Sequence, residues 1–114
     1  MLPSTFLDSR SDAALDALGN AVRRDILRRL AAGAMSVGEL ATAFTVSRPA
    51  ISRHLAVLQQ AGLVTHTGEG TRNLYAVDQQ GLSDTARWLD AFWNEAEVRL
   101  RLVAENLPQA RGNG

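Results

Sequence analysis

Apolar positions recur at helical spacing through the first sixty residues, switch to an extended pattern, then return to helical spacing. Ala13, Ala14, Leu15 and Leu18 predict a short helix over 12–18, stopped by Gly19. Asn20 suits the cap of a second helix, 21–32, whose buried stripe is Val22, Ile26, Leu27 and Leu30. Ser36 with Glu39 three residues on is a capping box. It starts a third, shorter helix with Leu40, Ala41 and Phe44 toward the core. Thr45 and Val46 make a tight turn. Ser47 then caps a fourth helix, 47–61, with Pro49 in its first turn and Gly62 at its end.

After Gly62 the pattern becomes extended. Leu63 to Thr67 reads as a strand, Gly68-Glu69-Gly70 as a turn and Arg72 to Val77 as the returning strand. A long last helix follows over 82–107, ended by Pro108. Its apolar positions are Leu82, Ala86, Leu89, Trp93, Ala96, Leu100, Val103 and Leu107, in alternating steps of four and three. That is a heptad seam, the pattern of helix pairing. Phe92 lies beside it, with Trp88 and Leu102. The expected interface of a homodimer is therefore Leu82, Leu89, Phe92, Trp93, Ala96, Leu100 and Val103, with Leu15 of the first helix helping. The plain alternative is a helix that covers only its own core. Residues 1–11 read as a flexible arm, 12–107 as the folded domain and 108–114 as a disordered tail.

Faces matter most on the fourth helix. One arc holds Ala50, Ile51, His54, Leu55, Val57, Leu58 and Ala61. The other holds Arg48, Pro49, Ser52, Arg53, Ala56, Gln59 and Gln60, and no acid. Arginine, glutamine and serine are the side chains that pair with base edges and phosphates. By itself this is also the pattern of any amphipathic helix with a wet face. The flanking elements shift that balance. A short helix, a tight turn and a polar-faced helix make a helix-turn-helix, and a hairpin directly after it makes a wing. The expected fold class is mainly α: a winged helix-turn-helix of five helices with a two-stranded β-wing, dimerising through the first and last helices.

Composition narrows the chemistry. The 114 residues are enough for one domain with one core. No cysteine is present, which removes disulfides and thiolate metal sites. With two histidines, a His-rich metal centre is not expected, and no cofactor is called for. His54 falls in the apolar arc and reads as a buried, hydrogen-bonded histidine. No apolar run approaches the roughly 18 residues of a membrane span. The first residues lack a signal-peptide pattern, so a cytoplasmic, membrane-free protein is expected. No glycine-rich phosphate loop or nucleophile–base pair supports an enzyme.

Net charge is zero, yet unevenly spread. Residues 21–72 carry seven arginines against three acids, while both flanks are acidic. All twelve basic residues are arginine, the side chain that forks onto phosphates and bases. Arg23, Arg24, Arg28 and Arg29 of the second helix form either a solvated basic face or phosphate contacts. Arg72, beside the hairpin turn, is either an exposed strand charge or a contact to a phosphate or the minor groove.

Three stretches carry a family likeness. ALGNAVRRDILRRL resembles the second-helix motif of bacterial ArsR-type regulators, the arsenical-resistance-repressor family. SRPAISRHLAVLQQAGLV is similar to that family's recognition-helix signature, and EGTRNLYAVD to its wing. The resemblance spans about residues 12–107. It implies a homodimer that binds a roughly palindromic double-stranded DNA operator and usually represses transcription. In that frame Arg48, Pro49, Ser52 and Arg53 read or approach bases, Ser36, Thr45 and Ser47 meet phosphates, and Arg72 serves the wing. Gln59 lies on the same face but too far along the helix to reach a base.

The chain also departs from the pattern. Glu39-Leu40-Ala41-Thr42-Ala43 stands where many members carry a cysteine-containing metal motif, and the last helix lacks the histidine of the family's zinc sites. Thr71 stands where the wing often has arginine. Asn20-Ala21 replaces Asp-Pro, and asparagine caps nearly as well. No effector is named by these residues. A second reading stays open: a winged helix used only for protein–protein contact through its heptad helix.

Overall fold

The computed structural model describes residues 9–107. The predicted tail, 108–114, and residues 1–8 of the predicted arm lie outside it. Eight elements follow in order: α1 Ser9–Leu18, α2 Ala21–Leu30, β1 Met35–Ser36, α3 Val37–Ala41, α4 Arg48–Gln60, β2 Val64–Glu69, β3 Arg72–Val77 and α5 Gln79–Asn106. Five helices thus surround a small antiparallel sheet of strand order β1-β3-β2.

Local chemistry explains most boundaries. Asn20 Oδ1 accepts the Arg23 N–H at 3.1 Å and opens α2. Ser36 and Glu39 complete the capping box reciprocally: Ser36 Oγ accepts the Glu39 N–H, and Glu39 Oε1 accepts the Ser36 N–H. Ser47 Oγ accepts the Ala50 N–H and opens α4. At the other end of α4 the Leu63 N–H bonds Leu58 O while the Gly62 N–H bonds Gln59 O. This is a Schellman cap, and it needs the φ of +79° that Gly62 supplies.

The core is one cluster. Ile26 of α2, Leu40 of α3, Ile51, Leu55 and Leu58 of α4, and Leu63 beyond it are fully buried. Small residues Ser11, Ala14 and Ala17 form the buried stripe of α1, which lets that helix lie close against α2 and α4. α5 closes on the cluster only at its start. Leu82 packs against the core, and Thr85 is the one residue of α5 that is buried.

Four expectations are corrected. α1 begins at Ser9, so Ser9, Arg10 and Ser11 of the expected arm are helical, and buried Ser11 anchors that turn. The sheet has three strands, because Met35 and Ser36 pair with Tyr75 and Leu74 of β3. The hairpin turn is Gly70-Thr71, with Gly68 and Glu69 paired inside β2. Gly70, at φ +64°, occupies the first central position of a two-residue loop, where glycine is favoured. Val57, placed on the apolar arc of α4, is 39% exposed. Its side chain borders a groove with Ala13, Asp16 and Ala17 of α1 instead of entering the core.

Candidate nucleic-acid interface

α3, the turn and α4 form the predicted helix-turn-helix, and its outer face is built by backbone caps rather than by buried side chains. Arg48 and Pro49 fill the first two positions of α4, where a missing N–H leaves no bond unmade. Arg48, Pro49, Ser52 and Arg53 are all exposed. Among the described residues neither Arg48 nor Arg53 is held by a hydrogen bond or ion pair. Arg48 reaches back across α3: a methyl group at Gly38 would lie 3.3 Å from Arg48 Nη2. A larger residue at 38 would displace that guanidinium.

Ser36 and Ser47 sit at helix starts with their oxygens already accepting a backbone N–H. Each hydroxyl keeps its own O–H to donate. Thr45 is exposed in the turn. Arg72 is committed differently from its expected free position on the wing. Its Nη2 lies 2.6 Å from Glu39 Oε1, pairing the turn end of the hairpin with α3. The Glu39 carboxyl is held below its ordinary range, chiefly by the Ser36 N–H, then by the Ser36 hydroxyl and by Arg72. The eight predicted contact residues therefore all lie along the cap of α3, the turn, the start and first half of α4 and the turn end of the wing.

Known proteins extend the picture. A helix-turn-helix domain family matches residues 18–67. An HTH-type transcriptional regulator of Mycobacterium tuberculosis is 48% identical over 85 residues, which is 75% of this chain and 79% of that protein. The chain belongs to the ArsR-type family of winged helix-turn-helix transcriptional regulators. A solved ArsR-like regulator from Rhodococcus superposes with a TM-score of 0.76 at 33% identity, covering 85% of this chain and 92% of that one. A homodimeric winged helix-turn-helix DNA-binding domain from Mycobacterium bovis superposes with a TM-score of 0.61 at 28% identity, covering 88% of each chain.

In this ArsR-type chain the arginines of α2 are largely occupied by the protein itself. Arg24 Nη1 donates to Leu18 O at 2.9 Å, Arg28 pairs with Asp25, and Arg29 lies over the Phe44 ring at 5.4 Å. Arg23 donates to Ala17 O through Nε at 2.7 Å and to Asp16 O through Nη2, while Nη1 lies 3.3 Å from His54 Nδ1. Sequence reasoning gave Arg23 no such role. Its partner is 31 positions away and leaves no local signal. His54 is hydrogen-bonded as expected, though half-buried rather than buried. Its pKa is pushed down from 6.5, first by burial, then by Arg23 and Arg53.

The last helix leaves its apolar residues in the open. Trp93 is 63% and Leu100 66% exposed, and Leu89, Phe92, Leu102, Val103 and Leu107 are exposed beside them. The alternative that α5 merely covers its own core is thereby set aside. Leu15 and Ala96 are half-buried, and Leu82 belongs to the domain core.

A cavity of about 750 Å³ opens between α1, the end of α4 and the start of α5, with Trp88 on one wall. Much of its polar lining is already spoken for: Asp78 caps α5, Asp84 accepts from Gln80 and Arg87, and Thr85 donates to Gly81 O. Among the described residues no three His, Asp or Glu side chains converge as a metal site requires. No described helix is long and apolar enough to cross a membrane.

Proposed function

We propose that residues 12–107 bind double-stranded operator DNA as a homodimer and repress transcription in the cytoplasm. The carrying observation is the exposed first half of α4, where Arg48, Pro49, Ser52 and Arg53 lie open, neither arginine is hydrogen-bonded or ion-paired among the described residues, and no acid interrupts them. That half enters the major groove with Arg48, Ser52 and Arg53 toward base edges. Ser36, Thr45 and Ser47 approach phosphates on either side, and Arg72 exchanges Glu39 for a backbone phosphate.

The bare face of α5 supports the dimer. A contiguous run of exposed large apolar residues is what an interface looks like before its partner arrives. Leu89, Phe92, Trp93, Ala96, Leu100 and Val103 pair with their copies, while Leu82 and Leu15 brace the base of α5 and of α1. Two-fold symmetry then sets the half-sites about one helical turn apart, roughly 10–10.5 base pairs or a multiple. Repression is the outcome the family resemblance implies.

The test is a fluorescence-anisotropy titration against the region upstream of the protein's own gene, at several salt concentrations. Saturable binding that weakens steeply with salt is expected, because phosphate contacts release counterions. A dimer that retains no duplex even at low salt would point instead to a protein–protein module.

A further inference from the structure

We infer that Arg23 is a positioning residue that locks the recognition helix to the dimer scaffold, and that the Arg23–His54 contact sets the angle at which α4 is presented. The inference rests on the DNA-binding dimer proposed above. Arg23 occupies the third position of α2, yet its side chain belongs to two other helices. Two nitrogens grip Ala17 O and Asp16 O in the last turn of α1, where the helix dipole attracts a cation; Asp16 O also accepts the Gly19 N–H at 3.1 Å. The remaining nitrogen meets His54 in the middle of α4.

A guanidinium has no acceptor, so His54 must offer a lone pair at Nδ1 and carry its proton on Nε2. Lysine has the charge but not the planar fork that spans all three partners. His54 lies one turn from Ile51 and Leu58 on the inner side of α4, and its neighbour Arg53 points outward. Moving the imidazole therefore moves the row of side chains offered to the groove.

A second joint fixes the other end of α4. A methyl group at Gly81 would lie 1.7 Å from Gly62 O, so the first turn of α5 rests directly on the cap of α4. One joint ties α4 to α1 and the other ties it to α5. With both closed, α4 cannot turn independently of the helices that pair in the dimer. Half-site spacing is then read by a rigid body.

The experiment starts from an operator selected out of random duplexes with the wild-type protein; failure to select one speaks against DNA binding itself, not against this inference. Derivatives of that operator with one base pair added or removed between half-sites are titrated against wild-type, Arg23→Lys, His54→Leu and His54→Asn. Wild-type affinity should fall about tenfold or more for each change of spacing. In Arg23→Lys and His54→Leu the penalty should shrink to about threefold or less, with dimer dissociation within about twofold of wild-type. His54→Asn, which keeps an acceptor at the δ position, should keep the discrimination. Should Arg23→Lys fail to fold, His54→Leu decides, since it leaves the grip on α1 intact. Variants that bind more weakly yet keep the full spacing penalty would make the contact merely structural and overturn the inference.

Discussion

Arg72 and Glu39 form an ion pair at 2.6 Å that joins the turn end of the wing to α3 before any partner is bound. Both side chains are about half exposed, so the pair adds little to stability. Its consequence falls on binding. Arg72 must leave a carboxylate to reach a phosphate, and that carboxylate then faces the DNA.

Glu39→Gln should therefore tighten DNA binding at low salt by about two- to fivefold, since the capping oxygen stays while the charge goes. Arg72→Ala should weaken binding to all sequences and lower the salt slope by about one. Anisotropy titrations across salt read both. An unchanged slope in Arg72→Ala would remove Arg72 from the contact surface.

Arg48→Ala and Arg53→Ala should each cost about 1–3 kcal/mol of specific binding, with relaxed preference at one base position if the arginine forks onto guanine. Neither side chain is hydrogen-bonded or ion-paired among the described residues, so thermal melting should barely move. Loss of affinity together with loss of fold would show that they serve the structure instead.

The apolar side of α5 makes the next prediction. Trp93→Glu or Leu100→Glu should convert the dimer to monomer in sedimentation velocity, because each puts a charge among exposed Phe92, Leu89 and Val103. Operator affinity should drop by about 100-fold or more as two linked half-sites become one. The monomer's helical content should persist, since both residues lie outside the core cluster. A wild-type protein that already sediments as a monomer would end the dimer reading.

Local signals carried most of this fold into the sequence. Asn20, Ser36, Glu39, Ser47 and Gly62 act within a few residues of themselves, and each starts or ends a helix as its chemistry dictates. The seam of α5 was legible for the same reason, as a period within one element. What escaped were relations between distant positions. Met35 and Ser36 have too short a run to show alternation, and they become a strand only because Leu74 and Tyr75 lie beside them. The Arg23 fork likewise depends on where α1, α2 and α4 meet, and the Arg72–Glu39 pair on where the hairpin meets α3. Val57 was misplaced because a 100° step per residue cannot locate the edge of an apolar arc that borders a groove.

Gly81 is the position where a single methyl group should do most harm. No described side chain fits between the first turn of α5 and Gly62 O, which a Cβ would approach to 1.7 Å. Gly81→Ala must shift α5 off the cap of α4, and overpacking of this kind costs about 1–3 kcal/mol or more. Urea unfolding should show that loss. Gly33→Ala is no fair control, because its φ of +154° strains any side chain; Gly68→Ala, with open strand geometry, should be far milder.

Acidification should act through His54. Burial and the nearby Arg23 and Arg53, which face it from α2 and from α4 itself, hold its folded-state pKa below 6.5. The unfolded chain therefore takes up this proton first as pH falls. Stability from neutral His54 is fully present above about pH 6.5 and is lost as pH drops through the lowered folded value. Glu39 and Asp84 are shifted below 4.5 and 3.8, so their contributions are lost only at more acid pH. Between about pH 8 and about pH 5 the melting temperature should thus decline, and His54→Asn should flatten that decline. A slope that survives the substitution would mean that the Arg23–His54 contact is not what titrates.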